Sequence, residues 1–350
     1  MKRHHIEIII IIIVALLTGA VLILSYGGIW IGNYKYKFNI FKRTAYFSEY
    51  RGGDTGDILP DKIYGFNVKL ADKEIRVCDF DCYFNSEKDG ASIEGFHGSG
   101  ILVLPCEVLG KPVYNIEDIE NNEDITGVVI SKNPENEYWG IDVQKCDNLQ
   151  SVEYENGTKI ANGDFYGCKK LKQLIFPEGV EKITAWYANT GLEEVFFPET
   201  VKNVNGYHFN RTEFEERHKK DRYYSVGDSV LLFYNGPIDE IVIPAGIKYL
   251  YNFDLFTAEE KKDVKRVYFP DSLVALNVEI PDDGEAYFGE KQIDGLDKCA
   301  IDGTIIAPAK SPVETYCKKN NIKFRVMTEE EETIWREKTE AAASEITYQK

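Results

Sequence analysis

Four ten-residue segments of this chain align without gaps, and that repetition limits the possible folds more than any other feature. They are LIFPEGVEKI (174–183), VFFPETVKNV (195–204), IVIPAGIKYL (241–250) and VYFPDSLVAL (267–276). The shared pattern is apolar-x-apolar-Pro-x-x-apolar-x-x-apolar. Pro177, Pro198, Pro244 and Pro270 are separated by steps of 21, 46 and 26. The step of 46 is two periods of 23, so one unit there is degenerate or replaced. Upstream, VEYENGTKI (152–160) and VVISKNP (128–134) keep the strand and lose its proline, whereas ILVLPCEVLGKPVYNI (101–116) restores it. A second set runs in phase. Phe165, Tyr187 and Phe209 are followed three residues later by Cys168, Thr190 and Thr212, and Leu149, Leu171 and Leu192 recur with nearly the same period.

Such a unit offers a short strand whose alternate side chains point inward, ended by a proline that cannot donate the next ladder bond. About 22 residues cannot bury their own apolar side, so neighbours must stack, and identical columns become continuous internal ladders. The strand columns are Leu104, Ile130, Tyr154, Phe176, Phe197, Ile243 and Phe269.

At this level of detail GDFYGCKKLKQLIFPEGVEKI (163–183) resembles the BspA-like leucine-rich repeat family of bacterial surface proteins. That family's unit reads F-x-x-C-x-x-L-x-x-I-x-I-P-x-x-V-x-x-I. Phe165, Cys168, Leu171, Leu174, Phe176, Pro177, Val180 and Ile183 occupy its columns. Residues 93–116 resemble the hairpin and first coil that open such domains, and 304–324 resemble their strand–helix–strand ending. Thr190 and Thr212 depart from the pattern where cysteine is usual, several prolines are missing, and 211–228 is irregular. The resemblance implies cell-surface binding or adhesion.

The start of the chain carries a different signal. Ile6 to Leu24 reads IEIIIIIIVALLTGAVLIL, with Glu7 its single charge. A helix of that length spans roughly 28 Å, about the hydrocarbon core of a bilayer. A cleaved signal peptide would have a shorter apolar run and an A-x-A site. The reading adopted is an uncleaved anchor that partners the lipid bilayer through Ile6 to Leu24, with a short basic tail inside and the bulk of the chain exported. The expected organisation is an anchor at 1–31, a Gly/Asp-rich linker at 32–62 that holds the body off the membrane, and capping strands at 63–99. A solenoid follows at 100–326, with an irregular insert at 211–228, then a C-terminal helix and tail at 327–350. Ser311-Pro-Val-Glu314 and Thr328-Glu-Glu-Glu331 are capping boxes that open the last two helices. The fold class expected is α+β with strand-rich repeats, a leucine-rich-repeat-type solenoid behind one transmembrane helix.

Net charge decides what the body does not bind: at −17 it lacks the basic surface that nucleic acid requires. The seven cysteines show no CxxC pair. On a strand, Cys78 and Cys82 would share one face and Asp79 and Asp81 the other, which splits any ligand set, so neither a metal nor a cofactor is expected. Cys146 and Cys168, one period apart, read as small buried residues stacked in a ladder. His97 lies in GFHGSG, a turn rather than a phosphate cradle. His208 and His218 flank the insert, and no nucleophile elbow or H-E-x-x-H accompanies them. No catalytic residue is assigned, and the chain is read as non-enzymatic.

One face of the sheet remains unexplained. The middle residues of the strand triplets, which point away from the core, are Val129, Glu153, Ile175, Phe196, Val242 and Tyr268. A solvated face should be polar there. Either this chain covers the stripe, with Ile334 and Trp335 of the C-terminal helix available for it, or Ile175, Phe196, Val242 and Tyr268 form a binding stripe for a protein or glycan. The alternatives to a binding protein are an envelope spacer without a ligand, and an enzyme or enzyme inhibitor that uses 211–228.

Overall fold

A computed structural model describes residues 13, 16–70, 72–117, 119–132, 140–251, 260–281 and 284–349. It divides into two compact units, residues 1–144 and 145–350, and the division falls within the stretch expected to form one solenoid. Of the anticipated anchor, residues 6–12, 14 and 15 lie outside the described residues. Residues 16–22 are helical and run into a wide turn at Ile23–Gly27. Among the described residues no helix is long and apolar enough to cross a membrane.

The segment 32–62 is not a spacer. Strands β1 (Ile29–Ile31), β2 (Tyr34–Asn39), β3 (Thr44–Tyr50), β4 (Lys62–Ile63) and β5 (Phe66–Lys69) form one sheet in the order β1-β2-β3-β5-β4. Period-two burial explains it: Tyr36, Phe38, Ala45 and Phe47 turn inward, while Lys35 and Lys37 alternate with them. Phe47 meets Phe84 edge-on at 5.6 Å, and the Lys73 ammonium donates to the Ser48 carbonyl, so this sheet packs on the next. That next sheet is built from Lys73–Val77, Phe80–Asn85 and Gly90–Phe96. Its first hairpin turns at Cys78, which has φ 54°. The turn breaks the strand parity assumed for Cys78 and Cys82: Cys82 is buried and Cys78 half-buried. Gly100–Leu104 and Ile125–Ile130 then pair in parallel, the first coil-like strands of the chain.

The second unit is a strand-rich solenoid of leucine-rich-repeat type. Strands Gln173–Ile175 and Glu194–Phe196 pair in parallel. Farther on, Glu240–Val242, Arg266–Tyr268, Glu285–Tyr287, Thr304–Ala307 and Phe324–Val326 form one parallel sheet. After each proline the chain closes a tight turn: the N–H groups of Val180, Val201, Ile247 and Leu273 bond the carbonyls of Pro177, Pro198, Pro244 and Pro270. Neighbouring coils are clamped at these turns. The Thr200 hydroxyl accepts from Gly179 N–H and donates to the Val180 carbonyl, and Ser272 does the same to Gly246 and Ile247.

The ladders form as the spacing requires. Phe165, Tyr187 and Phe209 stack at 5.2 and 5.8 Å with rings within about 10° of parallel, and all three are fully buried. Cys146 and Cys168 are buried thiols outside any disulfide, and burial pushes the Cys168 thiol up to about 12. Thr190 and Thr212 fill the cysteine column because each hydroxyl donates to the carbonyl three residues earlier, Tyr187 at 2.7 Å and Phe209 at 2.6 Å. The residue just before that column is left-handed in four successive coils: Lys145, Gly167, Asn189 and Arg211.

The stretch 211–228 is ordered structure rather than an irregular insert. Thr212 accepts from Glu215 N–H and caps a helix at Glu213–His218, and a hairpin of Tyr223–Val226 and Val230–Tyr234 follows. Helix and hairpin stand in for the missing unit in the 46-residue step. Thr328 and Glu331 cap each other reciprocally at the start of the C-terminal helix, Glu329–Ala342. The final strand, Ile346–Tyr348, pairs in parallel with Tyr223–Val226.

Candidate functional site

In Gln173–Ile175 and Glu194–Phe196 burial alternates exposed, buried, exposed. Leu174 and Val195 enter the core, so Ile175 and Phe196 must face outward. They are register partners, as are Gln173 and Glu194, whose side chains join by a 3.1 Å hydrogen bond. Ile175 is 58% exposed and Phe196 38%. Two apolar side chains side by side on the open face of a parallel pair depart from the usual rule that such sheets are covered.

The other half of the expected stripe is closed. Val242 is 7% exposed and Tyr268 3%, so neither belongs to a binding surface. The C-terminal helix lies across their strands. Trp335, Thr339 and Ala342, spaced i, i+4 and i+7, form its single buried line. Ile334, one residue off that line, stays exposed. The Trp335 indole N–H donates to the Phe269 carbonyl at 2.9 Å, Lys338 sits 4.8 Å from the Tyr268 ring centroid, and Ala245 N–H donates to the Thr339 carbonyl at 2.8 Å. Gly289 permits the close approach, since a Cβ there would lie 2.7 Å from the indole. Sequence separation hid this cover: Trp335 and Phe269 are 66 residues apart.

Beside Phe196 opens a groove of ≈ 550 Å³. Its walls include Phe196, Arg217, His218, Tyr224 and Tyr348, and its far rim is the last strand of the chain. The Gln349 side chain takes the place of a strand partner beyond Phe196, accepting from Phe197 N–H at 3.2 Å and donating to its carbonyl at 3.3 Å. Arg217 bonds Glu193 at 3.0 Å. Lys172, and then Arg217, hold the Glu193 carboxyl below the usual carboxylate range. His218 stacks on Tyr224 at 3.7 Å, its Nδ1 lies 2.8 Å from Asp221, and the Thr347 hydroxyl donates to the other Asp221 oxygen at 3.2 Å. This histidine is thus fixed by a ring and a carboxylate and can serve as a polar contact on the groove wall. His208 is different: it packs beside Trp186, burial lowers its pKa to about 4, and its Nδ1 has no hydrogen-bond partner among the described residues.

Among the described residues no group of three or more His, Cys, Asp or Glu is arranged to hold a metal ion. His97 pairs with Asp81 at 2.5 Å on the other unit. The groove was missed from sequence because its rim comes from residues 347–349, more than 120 positions from Arg217 and His218.

The family described as BspA type leucine rich repeat region matches residues 143–273 in six copies. No curated protein matches the chain. Solved structures that it resembles include a leucine-rich repeat protein from Bacteroides ovatus, at 15% identity over 72% of this chain and 67% of that one, with a TM-score of 0.30. The leucine-rich repeat protein of T. pallidum matches at 16% identity over 72% and 98%, with a TM-score of 0.29. The pneumococcal vaccine antigen PcpA matches at 12% identity over 80% and 99%, with a TM-score of 0.30.

Proposed function

We propose that this chain, whose residues 143–273 match the BspA type leucine rich repeat family, is an exported, membrane-anchored surface protein that binds a protein or glycan through its open sheet face, without catalysis. The observation that carries this reading is the contrast along one sheet face. The C-terminal helix closes Val242 and Tyr268, while Ile175 and Phe196 remain open next to a groove with an aromatic wall. An anchor of a binding surface is commonly an aromatic side chain in a partly enclosed setting, and Phe196 has that setting. A spacer without a ligand has no need of an open apolar pair. Anchoring rests on the apolar run Ile6 to Leu24, whose described part exposes Leu16, Leu17 and Leu22.

The test is a solid-phase panel of glycans and extracellular proteins, probed with the wild-type chain and with an Ile175→Ser/Phe196→Ser double variant. Binders retained by the wild type should be lost by the double variant, whose thermal midpoint should fall only modestly because Ile175 is 58% and Phe196 38% exposed. Equal retention by both would move the binding site elsewhere. Protease added to intact cells should cut residues beyond 28; full protection beside a cleaved surface control would overturn export.

A further inference from the structure

The first sheet gathers an unusual set of residues at one of its ends. Strand β1 runs antiparallel to β2, with Ile29 opposite Tyr36, so the exit from the preceding helix lies toward the end of β2. The β2–β3 turn, residues 40–43, is at that same end. So is the β4–β5 tip at Tyr64–Gly65, because Thr44 pairs with Asn67 in the parallel β3–β5 ladder. The exposed residues there are large and apolar: Phe41 is 95% exposed and Tyr64 80%, and Tyr26, Ile29 and Ile40 are open as well. Beside them is a hollow of ≈ 580 Å³ lined by Leu24, Ile29, Trp30, Phe38, Ile40 and Phe66.

Charge sorts the same way. Residues 25–48 contain Lys35, Lys37, Lys42 and Arg43 and not one Asp or Glu, within a chain of net charge −17. Lys37, Lys42 and Arg43 are exposed. The junction with the apolar run is also short and tied down. Gly28 N–H closes onto the Ile23 carbonyl at 2.9 Å, and the Ser25 hydroxyl donates to the Phe38 carbonyl at 3.2 Å. No flexible spacer separates the run from the sheet.

We propose that this end of the sheet is a membrane-seated collar. Phe41, Tyr64 and the hollow beside Trp30 enter the interfacial layer of the bilayer, and Lys37, Lys42 and Arg43 pair with the phosphates of anionic headgroups. Aromatic rings and cations on apolar stems are the side chains that suit this layer. The collar holds the body at the lipid surface where a loose linker would let it swing away. The inference rests on the anchoring proposed above.

The full-length protein is reconstituted into vesicles of phosphatidylcholine and phosphatidylglycerol doped with a phospholipid carrying a diazirine close to its headgroup. After irradiation, labelled peptides are mapped. Label is expected within residues 6–24 and also at Phe41 and Tyr64. A Lys37→Glu/Lys42→Glu variant should keep the label within 6–24 and lose about tenfold at Tyr64, because each cation near an anionic surface contributes several-fold to binding. Label confined to 6–24 would overturn the collar and leave the anchor standing. Undiminished label at Tyr64 in the charge-reversed variant would overturn the role of the cations. Protein left in the supernatant and unlabelled would overturn both anchor and collar.

Discussion

Replacing Trp335 tests how the C-terminal helix closes its part of the sheet. The indole is 4% exposed, its N–H donates to the Phe269 carbonyl at 2.9 Å, and it lies over Gly289. Truncation to Ala removes a buried aromatic, which costs about 3–5 kcal/mol when the site cannot collapse. Trp335→Phe keeps a ring in place and removes only the donor, so a buried carbonyl goes unpaired at about 1–3 kcal/mol. Apart from the indole, the helix is held by the small buried side chains of Thr339 and Ala342, the Ala245 N–H bond to the Thr339 carbonyl and the Lys338–Glu240 pair. The loss should therefore appear as local opening of the helix, with the solenoid intact. Hydrogen exchange of the full-length protein is the assay. Amides of Glu329–Ala342 should exchange at least about a hundredfold faster in Trp335→Ala and about tenfold faster in Trp335→Phe. Amides of the Glu194–Phe196 coil should not change. Equal rates for wild type and Trp335→Ala would show that the indole does not hold the helix, and global acceleration would show that the helix is core to the whole unit.

Other consequences can be measured separately. Burial lowers the His208 pKa to about 4 in the folded chain, against about 6.5 unfolded, so its stabilising neutrality is fully present above pH 6.5 and lost as pH falls toward 4. His208→Phe should remove of order 3 kcal/mol of acid sensitivity in that window, seen as a flatter plot of urea midpoint against pH. Thr190→Val leaves the Tyr187 carbonyl without its 2.7 Å hydroxyl and should cost about 1–2 kcal/mol, whereas Thr190→Cys, which matches the column of Cys146 and Cys168, should cost less than about 1 kcal/mol. None of the seven cysteines is in a disulfide, so alkylation of denatured, unreduced protein should label seven thiols, and alkylation before unfolding should spare Cys82, Cys146, Cys168 and Cys317.

The repeat ladders were readable because stacked coils force the same residue type onto the same column, as Phe165, Tyr187 and Phe209 show. The insert could have been read too: Thr212-Glu-Phe-Glu215 has the spacing of a helix start. The first sheet was obscured by its neighbour. The run RGGDTGDILPD after Tyr50 marks a loop, and its character was extended back over YKYKFN, whose alternation of aromatic and lysine is itself a strand signal. The binding stripe was half legible. Period two places Ile175, Phe196, Val242 and Tyr268 on one face, but no local pattern says where a distant helix will land. That depends on Trp335 finding Phe269 and Gly289 across the fold.

Hydroxyl-radical footprinting of the wild-type protein measures the split face directly. Phe196 and Tyr348 should be oxidised readily, while Tyr268, Tyr287 and Trp335 are protected by the C-terminal helix and the core beneath it. Tyr268 oxidised as readily as Phe196 would contradict the closed half of the face, and a protected Phe196 would contradict the open half on which binding rests.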